Sequence, residues 1–205
     1  MTKRFILAAV VMAVVAMPAL AGTSATGTNT VSPTLQVNVT VAKAISLTLS
    51  TGSQCVVNAG GAPPDYTMSF GTVDPLGISA GACGAKFNPT TPGSTPAVYY
   101  SDYKLTPVFA GQSTTNNTIT AYISTDFSAT AAGLLAIVQS NTLPNVIGDL
   151  TAMSKLAGAQ TSVATNAASG TAITRYIGVS VAPMNGAGTL TGADSATTTY
   201  TLTVQ

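Results

Sequence analysis

The 205-residue sequence predicts an all-β protein, most simply a β-sandwich, from three observations. Short segments rich in Val, Thr, Tyr and Ile recur between clusters of Gly, Pro, Asn and Ser, which is the composition of strands and turns. From Leu35 to Leu49 an apolar residue occupies nearly every second position, as in a strand with one apolar face. The chain also lacks heptads and any obvious internal repeat.

Residues 1–21 have the pattern of a secretory signal peptide. Lys3 and Arg4 precede an apolar run, and Ala19–Ala21 supplies small residues for cleavage. A membrane anchor is the alternative, but the run is shorter than the roughly 20 apolar residues that span a bilayer. Gly22 rather than cysteine follows, so no lipid anchor is indicated. We expect export, with no membrane span after signal cleavage.

Residues 22–205 carry almost no charge. They contain five basic residues and six aspartates, which gives 5 minus 6, a net charge of −1. A net charge near zero removes the repulsion that keeps proteins apart and favours assembly. Nucleic acid is not an expected partner, because the basic residues are scattered singly and form no stripe to neutralise phosphates.

The chain has two cysteines, Cys55 and Cys83. Export places them in an oxidising compartment, where a disulfide between them is expected. The alternative is a nucleophilic cysteine, which needs a basic partner such as histidine. The sequence contains no histidine.

Two serine motifs are interpreted as chance matches. Gly77–Gly81 spells G-x-S-x-G, but a nucleophile elbow needs a histidine base and a strand-to-helix turn. Ser101 and Lys104 form an S-x-x-K match within a predicted strand, where side chains three positions apart point to opposite faces. We therefore expect no catalytic residues and a protein that is not an enzyme.

The sequence also offers few residues that could bind a metal or a cofactor. Glutamate is absent, and the six aspartates have no ligand-like spacing, so no metal site and no cofactor are predicted. Asp74, directly before Pro75, is typical of a turn. A calcium site built from distant loops, or a catalytic carboxylate pair, is an alternative that the sequence leaves open.

Taken in chain order, residues 22–33 are small and polar, and the alternating segment 35–49 follows. Tyr66, Met68 and Phe70 alternate in a second strand. Val98–Phe109 predicts a longer one, in which Pro107 indicates an edge position or a bulge, because proline cannot donate to a ladder.

The second half continues with a strand over Asn117–Ser124. Between Ala129 and Ala168 the apolar residues are closely spaced or recur at three and four, which predicts one or two short helices inserted beside the sheets. Strands then end at Val181 and, after a glycine-rich turn region, at Val204.

Three features together resemble the exported pilin subunits of the chaperone-usher type, in particular their spore coat protein U-like branch. An alternating arm, Leu35–Val41, leads into a cysteine-bearing segment. Ser69–Pro75 is similar to that branch's Phe-Gly-x-x-Asp-Pro turn. The chain ends in an alternating strand, Thr199–Val204. These features cover about half of residues 22–205.

The resemblance implies an immunoglobulin-like sandwich that is incomplete and is completed by a donor strand from a neighbouring subunit. It divides the chain into a candidate donor arm, 22–41, and a pilin-like domain, 42–205, with Ile45–Leu49 as its own first strand. The inserted side chains would be Leu35, Val37, Val39 and Val41. It further implies self-assembly into a homopolymer, with a periplasmic chaperone and an outer-membrane usher, and an extracellular filament at the cell surface.

Two other functions fit the residues. One is a monomeric exported β-sandwich that binds carbohydrate or a surface ligand through its tyrosines, and the other is a surface-layer or matrix protein. The alternation stays in phase across Lys43. Residues 35–49 as one continuous internal strand therefore remain an alternative to a donated arm.

Overall fold

The computed structural model describes residues 44–60, 64–110, 116–128, 133–183 and 193–204. Eleven strands and one 3-10 turn lie within these ranges: β1 (Ala44–Thr51), β2 (Asn58–Ala59), β3 (Tyr66–Thr67), β4 (Ala85–Phe87), β5 (Ala97–Ala110), β6 (Asn117–Thr125), β7 (Leu135–Ser140), the 3-10 turn (Ile147–Asp149), β8 (Thr151–Ala152), β9 (Thr161–Thr165), β10 (Ile173–Val181) and β11 (Thr197–Val204).

The strands form two main antiparallel sheets. The large sheet has the order β1-β5-β10-β7-β8, with β4 also paired to β5, and the small sheet has the order β11-β6-β9. A separate two-stranded sheet pairs β2 with β3. The prediction of an all-β sandwich is confirmed. No helix in the described ranges is long and apolar enough to cross a membrane.

β5 is the longest strand of the large sheet and is paired along both edges. Its 14 residues pair with β10 along one edge and with β4 and then β1 along the other. Odd-numbered side chains such as Tyr99 face the inner core, and even-numbered ones such as Val98 face outward. Ser101 is accordingly buried while Lys104 is exposed, on opposite faces as strand alternation predicts.

Pro107 lies at a local edge of β5. The pairing of β10 begins at Ile173, opposite Leu105, so β5 extends past β10 at Pro107. The Pro107 carbonyl points to that side and accepts a hydrogen bond from the Gly170 N–H at 2.7 Å. The missing N–H of the proline therefore interrupts no ladder, which explains how the residue fits within a strand paired along both edges.

The inner core lies between the two sheets. Its fully buried side chains come from both: Tyr99 and Leu105 from β5, Ile119 from β6 and Val163 from β9. A second cluster lies on the outer face of the large sheet, where Val98, Tyr100, Val138 and Leu150 are buried together. Phe87 on β4 stacks on Tyr100 with ring centroids 5.0 Å apart.

The second cluster explains why the helices predicted from the sequence are not observed. The helices expected within Ala129–Ala168 are replaced by β7, β8, β9 and a single 3-10 turn of three residues in the described part of that region. Ile137 packs in the inner core and its neighbour Val138 in the outer cluster. A strand buried on both faces has no apolar-polar alternation, so its closely spaced apolar residues resemble a helix.

Candidate assembly groove

One side of the sandwich is bounded by two strands with unpaired edges. Among the described residues, β1 pairs only with β5 and β11 pairs only with β6. Cα atoms of β1 and β11 approach within 8 Å of one another. No hydrogen bond joins the described residues of these two strands. Each strand therefore presents a row of backbone N–H and C=O groups that a further strand can pair with.

The stacking of the sheets places both open edges on the same side. The Tyr200 hydroxyl of β11 contacts that of Tyr103 on β5, so β11 lies beneath the β1–β5 end of the large sheet. One strand further from β1 in the large sheet, Arg175 of β10 donates to the Val163 carbonyl of β9 at 2.6 Å. β9 is the strand of the small sheet that lies farthest from β11. The strand orders of the two sheets therefore run in the same direction, and the unpaired edges of β1 and β11 bound one groove.

On the opposite side of the sandwich, the segment between β8 and β9 is hydrogen-bonded to both sheets. The Met153 N–H donates to the Ile137 carbonyl in the large sheet at 3.0 Å. The next residue, Ser154, accepts the Ile123 N–H of the small sheet at 2.8 Å. Met153 itself is 3% exposed within the inner core. Of the two sides, the chain thus closes one and leaves the β1–β11 side without a bridging strand in the described ranges.

Apolar side chains along the groove are only partly covered. Leu47 and Leu49 of β1, and Tyr200 and Leu202 of β11, pack against the inner core but stay half-buried. Ile45, which continues the β1 row, is 56% exposed. The intervening threonines and serines of both strands are mostly exposed. A strand placed here would remove the remaining apolar surface from water.

A tyrosine pair lies at one end of this row. The Tyr200 hydroxyl donates to that of Tyr103 at 3.0 Å, and the rings meet edge to face with centroids 5.9 Å apart. Burial, followed by the influence of Tyr200, raises the pKa of Tyr103 well above its usual value, and burial also raises the pKa of Tyr200. Both rings are therefore neutral, and the Arg175 guanidinium is the nearby charge, since it acts to lower the pKa of Tyr103 against these larger effects.

The C-terminal end of β1 is fixed to the rest of the large sheet. The expected disulfide between Cys55 and Cys83 is present, with Cα atoms 5.1 Å apart, and it joins the segment after β1 to the segment before β4. The Cys55 N–H donates to the buried Ser101 hydroxyl at 3.1 Å. The Ser53 N–H donates to the Asp102 carboxylate at 2.6 Å. These contacts hold one wall of the groove in place.

Replacing both cysteines by alanine is expected to lower the free energy of unfolding by about 3 to 4 kcal/mol, because the bridge spans 28 residues and restricts the unfolded chain. Urea unfolding of the oxidised wild type and the double variant measures the difference. Reduced wild type should match the variant. Equal midpoints for all three proteins would contradict a structural role for the bridge.

The residues predicted to form the donor strand, Leu35, Val37, Val39 and Val41, lie outside the described residues, as does Lys43. The expected first strand of the domain, Ile45–Leu49, lies within β1. Sequence reasoning did not identify the receiving groove itself. The half-apolar alternation of β1 and β11 was the available signal, but it does not say which strands have free edges.

The Phe-Gly-x-x-Asp-Pro turn is organised by Asp74. Its carboxylate accepts the N–H groups of Leu76 at 2.8 Å and Ile78 at 3.1 Å, as well as that of Ser79. The Tyr99 hydroxyl donates to it at 3.2 Å. Partial burial opposes ionisation, but the bonds from Ser79, Ile78, Leu76 and Tyr99 outweigh it and lower the pKa of Asp74. The ionised carboxylate therefore stabilises the loop.

Asp74→Asn is expected to lower the free energy of unfolding at pH 7 by about 1 to 3 kcal/mol, because charged acceptors make the stronger hydrogen bonds. Since the folded pKa is depressed, this stabilisation is present above the unfolded pKa of about 3.9 and is lost as the pH falls through the lower folded value. Urea titrations at pH 7 and pH 3 should show the gap between wild type and variant closing. Asp65→Asn, at an exposed carboxylate, is the control. A gap as large at pH 3 as at pH 7 would contradict the assignment.

The serine of the G-x-S-x-G match lies in the same loop. The Ser79 hydroxyl donates to the Thr72 carbonyl at 2.7 Å. Lys86 donates to the carbonyls of Ser79, at 2.9 Å, and Gly77. Gly77 has a φ of 68° and lies against Asn88, so this turn suits glycine. The motif thus belongs to a braced loop between strands and not to a strand-to-helix turn.

The six aspartates are distributed over separate local structures. Asp126 pairs with Lys155, Asp194 accepts from Ser128, and Asp149 accepts the N–H groups of Asn145 and Val146 ahead of the 3-10 turn. No group of three or more metal-binding side chains occurs within the described ranges. All seven tyrosines of the sequence are described, and each is buried or half-buried.

Comparison with known proteins gives no significant match to a protein-family model, to a curated protein or to a solved structure. The resemblance to chaperone-usher pilins therefore depends on the quoted residues and stays a prediction. The fold, the disulfide and the edges of β1 and β11 that are unpaired in the described ranges are observations on the chain itself.

Proposed function

We propose that this chain is a structural, non-enzymatic subunit of an extracellular filament, a pilus or fimbria, assembled by donor-strand complementation. The observation that carries the proposal is the open side of the sandwich, where β1 and β11 both leave an edge unpaired in the described ranges. The route would be export through the periplasm to the cell surface. The disulfide is compatible with such a route.

An inserted strand would gain two kinds of stabilisation in the groove. Its backbone can pair with the free edge of β1 or of β11, which is recognition by β-augmentation. Alternate side chains can pack on the half-buried residues Leu49, Tyr200 and Leu202. Each fully buried Val or Leu contributes about 1.5 to 3 kcal/mol before ordering costs. The arm with Leu35, Val37, Val39 and Val41 supplies four such side chains in one phase.

The sequence before β1 favours donation to a neighbour over insertion into the same subunit. For the arm to return alongside β1, the chain would have to reverse within the few residues before Ala44. The sequence Thr40-Val41-Ala42-Lys43-Ala44 contains no Gly, Asn, Asp or Pro, the residues that tight hairpin turns use. Head-to-tail donation of this kind does not close on itself and builds an open filament.

The tyrosine positions do not favour the carbohydrate-binding alternative, because a ligand site built on aromatic rings presents them to solvent. All seven tyrosines are buried or half-buried. The weak net charge of residues 22–205 fits a subunit that packs against copies of itself.

Electron microscopy of cell-surface material, with mass spectrometry of the isolated assemblies, tests the proposal. Thin threads that contain this chain as their main component are expected. A monodisperse monomer by light scattering would overturn the proposal in favour of a monomeric binding protein. Two-dimensional sheets would overturn it in favour of a surface-layer or matrix protein.

A further inference from the structure

The outer face of the large sheet is covered by chain segments instead of water. In a two-sheet sandwich this face is usually solvated and polar. Here Val98, Tyr100 and Val138 face outward and are buried, at 2%, 9% and 7% exposure. Leu150 and Ile147, from the segment around the 3-10 turn, cover part of them. The chain has thus built a partial third layer over this sheet.

The third layer does not fill the space beneath it. A cavity of about 280 Å³ remains, lined by Val98, Val138 and Ser180 from the sheet and by Ile147, Leu150 and Thr90 from the covering segments. A second cavity of about 230 Å³ also has Ser180 and Pro96 in its lining. Both spaces are clefts partly open to solvent, and mostly apolar concave sites with a few polar groups are where proteins bind small molecules.

The lining specifies the chemistry of an occupant. Every lining residue of both cavities is uncharged, and most are aliphatic or proline. A charged molecule would lose its hydration without gaining a partner, so the site selects against ions. The Ser180 hydroxyl belongs to both cavities and has no hydrogen-bond partner among the described residues. It can donate one hydrogen bond to an acceptor on the occupant.

Volume sets the size of the occupant. An apolar protein cavity of about 150 Å³ stays dry and accepts benzene. At about 280 Å³, the larger cavity here has nearly twice that volume. It therefore matches a body of about two fused rings, or a branched aliphatic group of similar bulk.

We infer that the outer-face cavity is a binding site for a small neutral molecule with an apolar body of about two rings and one hydrogen-bond acceptor directed at Ser180. The site lies on the outer face of the large sheet, whereas the assembly groove lies along the β1–β11 side. It is therefore independent of the proposed function, and both the subunit and the filament form could carry it.

Fluorescence titration with prodan tests the inference, because this probe is a neutral naphthalene with one ketone acceptor and its emission shifts to the blue in apolar surroundings. The exported wild-type chain should bind prodan saturably, with one site per chain. Ser180→Ala should weaken binding by about 3- to 10-fold through loss of one hydrogen bond. Ser180→Leu, which fills the junction of the two cavities, should abolish the saturable signal.

Two further variants separate this site from general surface hydrophobicity. Leu143 is 60% exposed and does not line either cavity, so Leu143→Ser should leave prodan binding unchanged. Thr90→Phe narrows the cavity from an exposed loop position and should weaken binding even if Ser180→Leu fails to fold. The inference is overturned if wild type shows no saturable binding, if Thr90→Phe binds as wild type does, or if Leu143→Ser removes the signal.

Discussion

Deletion of residues 22–41 is expected to give an exported, folded chain that forms no filaments. The deletion leaves β1 and every other described strand intact, because β1 begins at Ala44. The disulfide and both cores are retained as well. Only the segment that would enter a neighbour's groove is lost. Electron microscopy and light scattering of the secreted product measure the outcome.

A peptide of residues 33–43 provides the matched control for this deletion. Added to the truncated chain, it should occupy the groove and raise the melting temperature, since a ligand at 100 times its Kd stabilises the folded state by about 2.7 kcal/mol. A shuffled peptide with Gln36, Asn38 and Thr40 moved into the apolar phase should not do so. Filament formation by the truncated chain would contradict the donor assignment.

Strands with one apolar face were predictable from the sequence alone. The predicted strand Val98–Phe109 corresponds to β5, and Asn117–Ser124 corresponds to β6, each within one residue at both ends. The final strand begins at Thr197 and contains the predicted alternation of Tyr200, Leu202 and Val204. In all three, alternate side chains face the inner core, so the period of two in the sequence reflects burial directly.

Strands that break the alternation were not predictable in the same way. β7 carries apolar residues on both faces, because the outer cluster covers Val138 while the inner core contains Ile137. β9, Thr161–Thr165, has a single large apolar side chain, Val163, which is too little for a pattern. Whether β7 and β9 form strands depends on what packs against the far side of each sheet. The spacing of apolar residues in one sequence carries no information about that packing.

For a related reason, the sequence predicted a candidate arm but not the strands that would receive it. The alternating stretch 35–49 suggested a segment in need of a partner, since fifteen residues exceed an ordinary strand of about 5 to 6 residues. Which strands would receive it depends on the order of strands across the two sheets. β1 and β11 are the first and last strands of the described ranges and become neighbours only through that order.

Leu47→Asp is expected to abolish acceptance of a donor strand while leaving donation intact. Leu47 is half-buried on the groove side of β1, so an inserted strand would bury the new carboxylate beside the neutral side chains of Leu49, Tyr200 and Leu202. Burial of an unpaired charge costs several kcal/mol, enough to prevent stable insertion. Thr48→Asp, on the exposed face of the same strand, adds the same charge and should assemble normally. Urea unfolding of both variants checks that the sandwich remains folded.

Co-expression of the two altered chains tests the donor arm and the acceptor groove in one experiment. The truncated chain has a groove but no arm, and the Leu47→Asp chain has an arm but a blocked groove. Each should stay monomeric alone, and co-expression should yield a one-to-one heterodimer that grows no further, because one arm and one groove are used and none is left. Size-exclusion chromatography with light scattering detects that species. Filaments from the mixture would mean that Leu47 does not line the acceptor, and the absence of any heterodimer would mean that the arm and this groove are not partners.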